Sequence, residues 1–222
     1  MATTTPNYGW PVPTSTDYVK DGAVAIEALG DAIDATVFAL PKGGLVPITP
    51  TSISVGSGTA TSAGNGQVTF TGVGTNLSLN GVFSATYTNY LVLLSKVTAS
   101  GVGGLSLRLR SGSTDNTSAV YDSARVTIND AGTVSSGATN NATSFQYNIN
   151  DQQFQYFTIN LFSPFVTDET GMQNSIFETN PSNFYTTTIN GQHQADYSAD
   201  GLTFLVNTGT ATGKVSVYGY AK

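Results

Sequence analysis

Leu105–Arg110 reads LSLRLR, three leucines at every second position with Ser106, Arg108 and Arg110 between or after them. Side chains alternate faces along a strand, so this stretch predicts a β-strand with one buried and one wet face. The same period of two recurs in Phe157, Ile159 and Leu161 around Thr158 and Asn160, and in Val215 and Val217 around Ser216, followed by Tyr218 and Tyr220. Working outward, further strands are predicted around Gln67–Thr71, Val82–Tyr87, Tyr90–Ser100, Val120–Ile128, Phe145–Ile149, Phe184–Ile189 and Leu202–Val206, separated by Gly, Asn, Asp and Ser clusters. About nine to eleven strands at such even spacing predict a sandwich or barrel, with a jelly roll favoured. The absence of a fixed-period repeat argues against a β-helix.

Composition agrees with a mainly β class. The 222 residues include 24 Gly, 11 Tyr and 11 Phe, and only 10% are charged. That length accommodates one β domain of about 150–200 residues with an appendage. A net charge of −6 with only 8 Lys and Arg argues against a nucleic-acid partner, which needs a clustered basic face. The chain has no Cys, which excludes disulfides and thiolate sites. Neither a signal peptide nor a membrane-inserted span is expected, because no basic flank precedes an apolar core and no window approaches about 18 apolar residues.

The first 37 residues differ from the rest. Thr3–Thr14 (TTTPNYGWPVPT) carries Pro6, Pro11 and Pro13, which predict an extended arm without a hydrogen-bonded element of its own. Tyr8 and the single tryptophan, Trp10, are the candidate anchors, since large aromatics dominate interface energetics. The alternative is that the arm folds back on its own chain or on its mates in a trimer. A helix follows, with Thr16 as N-cap and Asp17 in the first turn. Val19, Ile26, Leu29 and Ile33 stand seven, three and four residues apart, the spacing of a heptad seam. Gly22 and Gly30 weaken the helix alone, so it needs packing partners: other copies in a bundle, or its own β domain. The expected organisation is an arm over 1–15, a helix over 16–40, a Pro/Gly linker over 41–50 and a β domain over 51–222.

Residues that carry chemistry are sparse. The one histidine, His193, lies in GQHQADYSAD without a nucleophile elbow and reads as a surface strand residue. Asp168, Glu169 and Glu178 lack calcium-loop spacing, and Asp115–Asn116 reads as a turn, so no metal or cofactor is expected. Glycoside cleavage needs a carboxylate pair facing one sugar bond; Asp196 and Asp200 are close in sequence, but they flank a predicted turn. Gly56–Gly58 and Gly101–Gly104 read as β turns rather than phosphate cradles. Tyr121, Tyr147, Tyr185 and Tyr197 are each candidate sugar platforms, but none is singled out.

The segment TTTPNYGWPVPTSTDYVKDGAVAIEALGDAID resembles the N-terminal segment shared by many tailed-bacteriophage virion proteins, mostly fibre-like or minor structural components. Leu105–Ser123 (LSLRLRSGSTDNTSAVYDS) and Asp200–Lys222 (DGLTFLVNTGTATGKVSVYGYAK) resemble parts of the lectin-like β-sandwich at the ends of phage fibres. The resemblance implies a homotrimer, with a short trimeric helix packing through Val19, Ile26, Leu29 and Ile33. The arm would bind other virion proteins through Tyr8 and Trp10, and the sandwich would take host surface glycans at unassigned residues. The expected localisation is the virion, after synthesis in the host cytoplasm. The leading expectation is a non-enzymatic fibre or adhesin; a capsid decoration protein and, less favoured, a tailspike-type depolymerase are the alternatives.

Overall fold

The computed structural model describes residues 3–14, 18, 21–39, 43–101, 103–149, 154–179 and 184–221. The chain divides into two compact units, Met1–Gly43 and Gly44–Lys222.

In the first unit, β1 (Thr3–Thr4) pairs antiparallel with β2 (Pro11–Val12), and α1 runs over Gly22–Ala39. The arm is therefore not free of hydrogen-bonded structure, as its prolines had led us to expect. Pro6 sits in the turn, where a fixed φ is an advantage. The Thr5 N–H donates to the Trp10 carbonyl at 2.9 Å and the Gly9 N–H to the Thr5 carbonyl at 3.0 Å. Thr16, Asp17 and Val19, expected as the helix cap, first turn and first seam position, lie outside the described residues.

Among the described residues the second unit is one 14-stranded sheet. Its strands are β3 (Leu45–Ile48), β4 (Ser52–Val55), β5 (Thr59–Ser62), β6 (Gln67–Asn80), β7 (Asn89–Ala99), β8 (Gly103–Ser111) and β9 (Thr114–Asp115). There follow β10 (Tyr121–Asn129), β11 (Val134–Ala142), β12 (Phe145–Ile149), β13 (Phe154–Phe162), β14 (Thr170–Thr179), β15 (Phe184–His193) and β16 (Gly201–Tyr220). Every pairing among the described residues is antiparallel. One path of neighbours runs β11-β10-β15-β14-β13-β7-β16-β6-β4.

The 20-residue β16 belongs to two parts of this sheet. Gly201–Val206 pairs with β8, which pairs in turn with β12, whereas Ala211–Gly219 pairs with β7. β6 follows β16 through both parts, with register shifts between Val206 and Ala211 and between Ala211 and Gly213. Such irregularities bend a strand. Gly209 lies in the bend at φ +70°, and a Cβ there would come within 2.7 Å of Ser100 Oγ, so the position requires glycine.

The bend brings β12 against β10 and β13. The Tyr121 and Phe145 rings meet edge to face at 5.0 Å, and Tyr147 lies 6.1 Å from Phe157. Leu107, Leu109 and Phe204 enter the core from one side and Phe157, Ile159, Leu161, Val215 and Val217 from the other, all buried. Burying each large apolar side chain contributes about 1.5–3 kcal/mol, which makes this core the main stabilising feature of the unit.

Three sequence expectations change here. Val82–Tyr87 is a loop between β6 and β7, not a strand; Val82 and Phe83 are buried, and the Phe83 N–H finds the Asp200 carbonyl at 3.0 Å instead of a ladder partner. The supposed linker over 41–50 contains β3, which pairs with Val217–Tyr220. Pro47 is tolerated there because, among the described residues, β3 is paired on one side only. The face of β8 expected to be wet buries Ser106 and Arg110, the latter bonded to Thr203 Oγ1 at 3.0 Å and 3.6 Å from Asp115 Oδ1.

Candidate functional site

Among the described residues a concavity lies over β10, on the sheet face turned away from the core. Between Tyr121↔Ala142 and Ser123↔Thr139 the strand β11 advances three residues while β10 advances two. This bulge puts Asn141 at φ +52°, a conformation Asn tolerates better than most residues. Asp122 fastens it: its Oδ1 accepts the Asn141 N–H at 2.7 Å, and its Oδ2 accepts the Gln194 Nε2–H. The result is a groove of about 370 Å³. Ala124 and Ala138 form its floor, with Asn140 on the β11 side and Asn190 and Gln192 on the β15 side. These three carboxamides are exposed, and no hydrogen bond within the described residues engages them.

Beneath the groove, on the core side, Tyr121 is paired in register with His193. His193 was expected on the surface; it is instead fully buried, its ring 4.7 Å from Tyr121 and 5.5 Å from Tyr197. Asn116 Oδ1 accepts the Ser118 N–H at 2.9 Å, which leaves Asn116 Nδ2 to donate to His193 Nε2 at 3.0 Å. That assigns the proton of a neutral imidazole to Nδ1. Burial lowers the His193 pKa and holds the ring neutral, whereas burial pushes the Tyr121 hydroxyl well above its ordinary range. The Tyr121 hydroxyl donates to the Asn116 carbonyl at 3.0 Å and accepts the Leu109 N–H at 3.2 Å. This cluster ties the ends of β10 and β15 to β8, so the strands under the groove are held from within.

The other sequence candidates separate. Asp200 Oδ2 accepts the Gly112 N–H at 3.0 Å while Asp196 is exposed in the preceding loop, and no hydrogen bond joins the two. Asp115 serves Thr203 at 2.6 Å and Arg110. Asp168 accepts the Glu169 N–H at 2.8 Å, and Glu178 is buried. No metal-holding group of three or more acidic, His or Cys residues occurs among the described residues. Gly56–Gly58 lies in the β4–β5 connection, but Gly103 and Gly104 begin β8 rather than forming a turn. Of the four tyrosines considered as sugar platforms, Tyr121 and Tyr147 are buried; Tyr185 and Tyr197 are half-buried.

At the far end of the groove-bearing face, Phe177 lies 5.2 Å from Phe184 and 6.1 Å from Tyr156. Phe154, Val126, Ile128 and Val134 extend this exposed apolar band. In the first unit Tyr8 stacks on Trp10 at 5.1 Å, and the Trp10 indole N–H donates to Thr36 Oγ1 at 2.9 Å. Trp10 is thus engaged by its own helix, while Tyr8 remains 62% exposed. Of the seam residues, Leu29 and Ile33 are half-buried and Ile26 is 64% exposed.

Sequence reasoning passed over Asp122, Asn140, Asn190 and Gln192. The available signal was the period-two run Asn190, Gln192, Gln194, which places carboxamides on one face of a strand.

Over the described residues the chain is a mainly β protein with one large antiparallel sheet and one short helix. No family model matches it, and no curated protein matches it. Among solved structures it is similar to the galectin LEC-6 of Caenorhabditis elegans, with TM-score 0.31 and 14% identity over 71% of this chain and 99% of the other. It is also similar to the CBM2 module of an evolved Dit of Lactobacillus casei BL23 phage J-1, with TM-score 0.27 and 10% identity over 79% of this chain and 97% of the module. A protein of unknown function from Shewanella oneidensis MR-1 shares 7% identity over 80% of this chain and 79% of its own, with TM-score 0.24.

Proposed function

We propose that this chain is a non-enzymatic structural protein of a tailed-bacteriophage virion, a homotrimeric fibre-like or adhesin component. Its first unit fastens it to the particle, and its second unit, a jelly-roll-like β-sandwich, is presented to the host. The observation that carries this reading is the amount of large apolar side chain that both units leave exposed: Tyr8, Ile26 and Val37 in the first, and Phe154, Phe177, Phe184 and Val134 in the second. Contiguous exposed apolar surface marks interaction sites, which favours a chain that works inside an assembly. The N-terminal resemblance supplies the kind of assembly.

In this reading Trp10 shapes the arm by binding Thr36, and Tyr8 is the aromatic offered to a neighbouring virion protein. Ile26, Leu29 and Ile33 pack about the three-fold axis. The test has two arms. Deleting residues 1–14 is expected to leave a folded trimer that no longer joins the particle; normal incorporation overturns the anchoring role. Replacing Ile26 and Leu29 by Asp is expected to convert the trimer to monomer in light scattering, and an unchanged mass overturns the seam.

A further inference from the structure

We infer that the groove over β10 is a binding site for a neutral saccharide, held by the carboxamides of Asn140, Asn190 and Gln192 above the methyl groups of Ala124 and Ala138. The inference deepens the proposed function by giving the glycan ligand that the resemblance implies a site on named residues, and rests on that reading only for its biological setting.

The chemistry of the lining selects the ligand. A carboxamide both donates and accepts hydrogen bonds, as a sugar hydroxyl does, and three unengaged carboxamides around one concavity match a polyhydroxylated molecule. The alanine floor offers small apolar contacts suited to the C–H face of a pyranose ring and leaves depth that a larger side chain would fill. Asp122 is the only carboxylate among the described residues of the lining, and both its oxygens already receive protein donors, Asn141 N–H and Gln194 Nε2–H. Its role is to hold the bulge, so the groove lacks the concentration of free carboxylates that a hard cation requires. No Lys or Arg among the described residues lines it, which disfavours phosphate or another anion. At about 370 Å³ the groove is near the lower end of the ligand-pocket range, about 300–1,000 Å³, which fits a terminal sugar rather than a long enclosed chain. The walls stand on neighbouring strands of one sheet, braced by the Tyr121–His193 cluster, so the carboxamides are positioned by rigid elements. Weak binding at one copy is multiplied across an assembly.

Saturation-transfer NMR on the purified full-length protein, with glucose, galactose, N-acetylglucosamine and rhamnose as separate probes, tests the site without a virus particle. At least one sugar is expected to bind, with affinity falling at least tenfold in the Asn190→Ala/Gln192→Ala double variant. The Ser175→Ala variant, on the same sheet face but outside the groove, and the addition of EDTA are expected to change nothing. Failure of all four sugars to bind, undiminished binding by the double variant, or abolition by EDTA overturns the inference. The double variant is expected to join particles normally. Failure of the saccharide site is thereby distinguished from failure of the virion reading, which the deletion of residues 1–14 tests.

Discussion

The two units of this chain are stabilised by contacts of different range. In the β unit, Leu107 on β8 and Phe157 on β13 belong to one core, although fifty residues separate them in sequence. In the first unit the helix is continuous in sequence and leans on a short hairpin through the Trp10–Thr36 bond and half-buried residues such as Leu29 and Ile33. Local structure of that kind forms easily and holds weakly: isolated helices shorter than about 12–15 residues are marginal, and α1, at 18 residues with two glycines, is little better placed. The comparison teaches that exposed apolar residues mean different things in the two units. Around Phe177 they lie on a sheet whose other face is already packed, whereas Ile26 lies on a helix that gains much of its stability only when covered.

Three substitutions bear on this contrast. The largest effect is expected from Leu107→Ala, a fully buried leucine whose truncation should cost about 2–5 kcal/mol in the urea unfolding of the β unit. Emission from Trp10, the only tryptophan, should change at lower urea than that transition; a change coincident with it would show that the units unfold together. A smaller effect concerns acid. Burial lowers the His193 pKa below the ordinary 6.5, so under mildly acidic conditions the unfolded chain binds a proton that the native chain refuses. Stability is therefore complete above about pH 6.5 and declines as pH falls through that value. Melting curves of a His193→Asn variant should lack this decline, and an unaltered slope would remove His193 as its cause. The smallest effect is expected from Thr36→Val, which deletes the indole's acceptor and should cost about 1 kcal/mol of arm docking. A red shift of the Trp10 emission with unchanged β-unit melting is the expected signature; a β-unit shift would break the contrast.

Much of the β architecture was legible because alternation is a local signal. Leu105, Leu107 and Leu109 do enter the core together, as do Phe157, Ile159 and Leu161. The same signal misled at Val82–Tyr87, where apolar residues are buried from a loop whose amide bonds elsewhere, and it was silent at β3, where a proline and two glycines nearby read as a linker. His193 shows the other limit. Its polar neighbours Gln192 and Gln194 are exposed, but the position between them faces inward, where Tyr121 and Asn116 complete its surroundings. The groove was illegible for a related reason. Asn140 and Gln192 lie 52 positions apart, and their approach depends on a one-residue bulge fastened by Asp122.

By itself the sequence determined a mainly β protein with a helix-bearing first segment, since periods of two and of heptad type depend only on neighbouring residues. The tertiary structure alone decided that β16 serves two parts of the sheet, that Trp10 turns to its own helix and that three carboxamides surround one groove. Those outcomes depend on which distant strands share hydrogen bonds and in what register, and a shift of one residue would reverse every side chain they place.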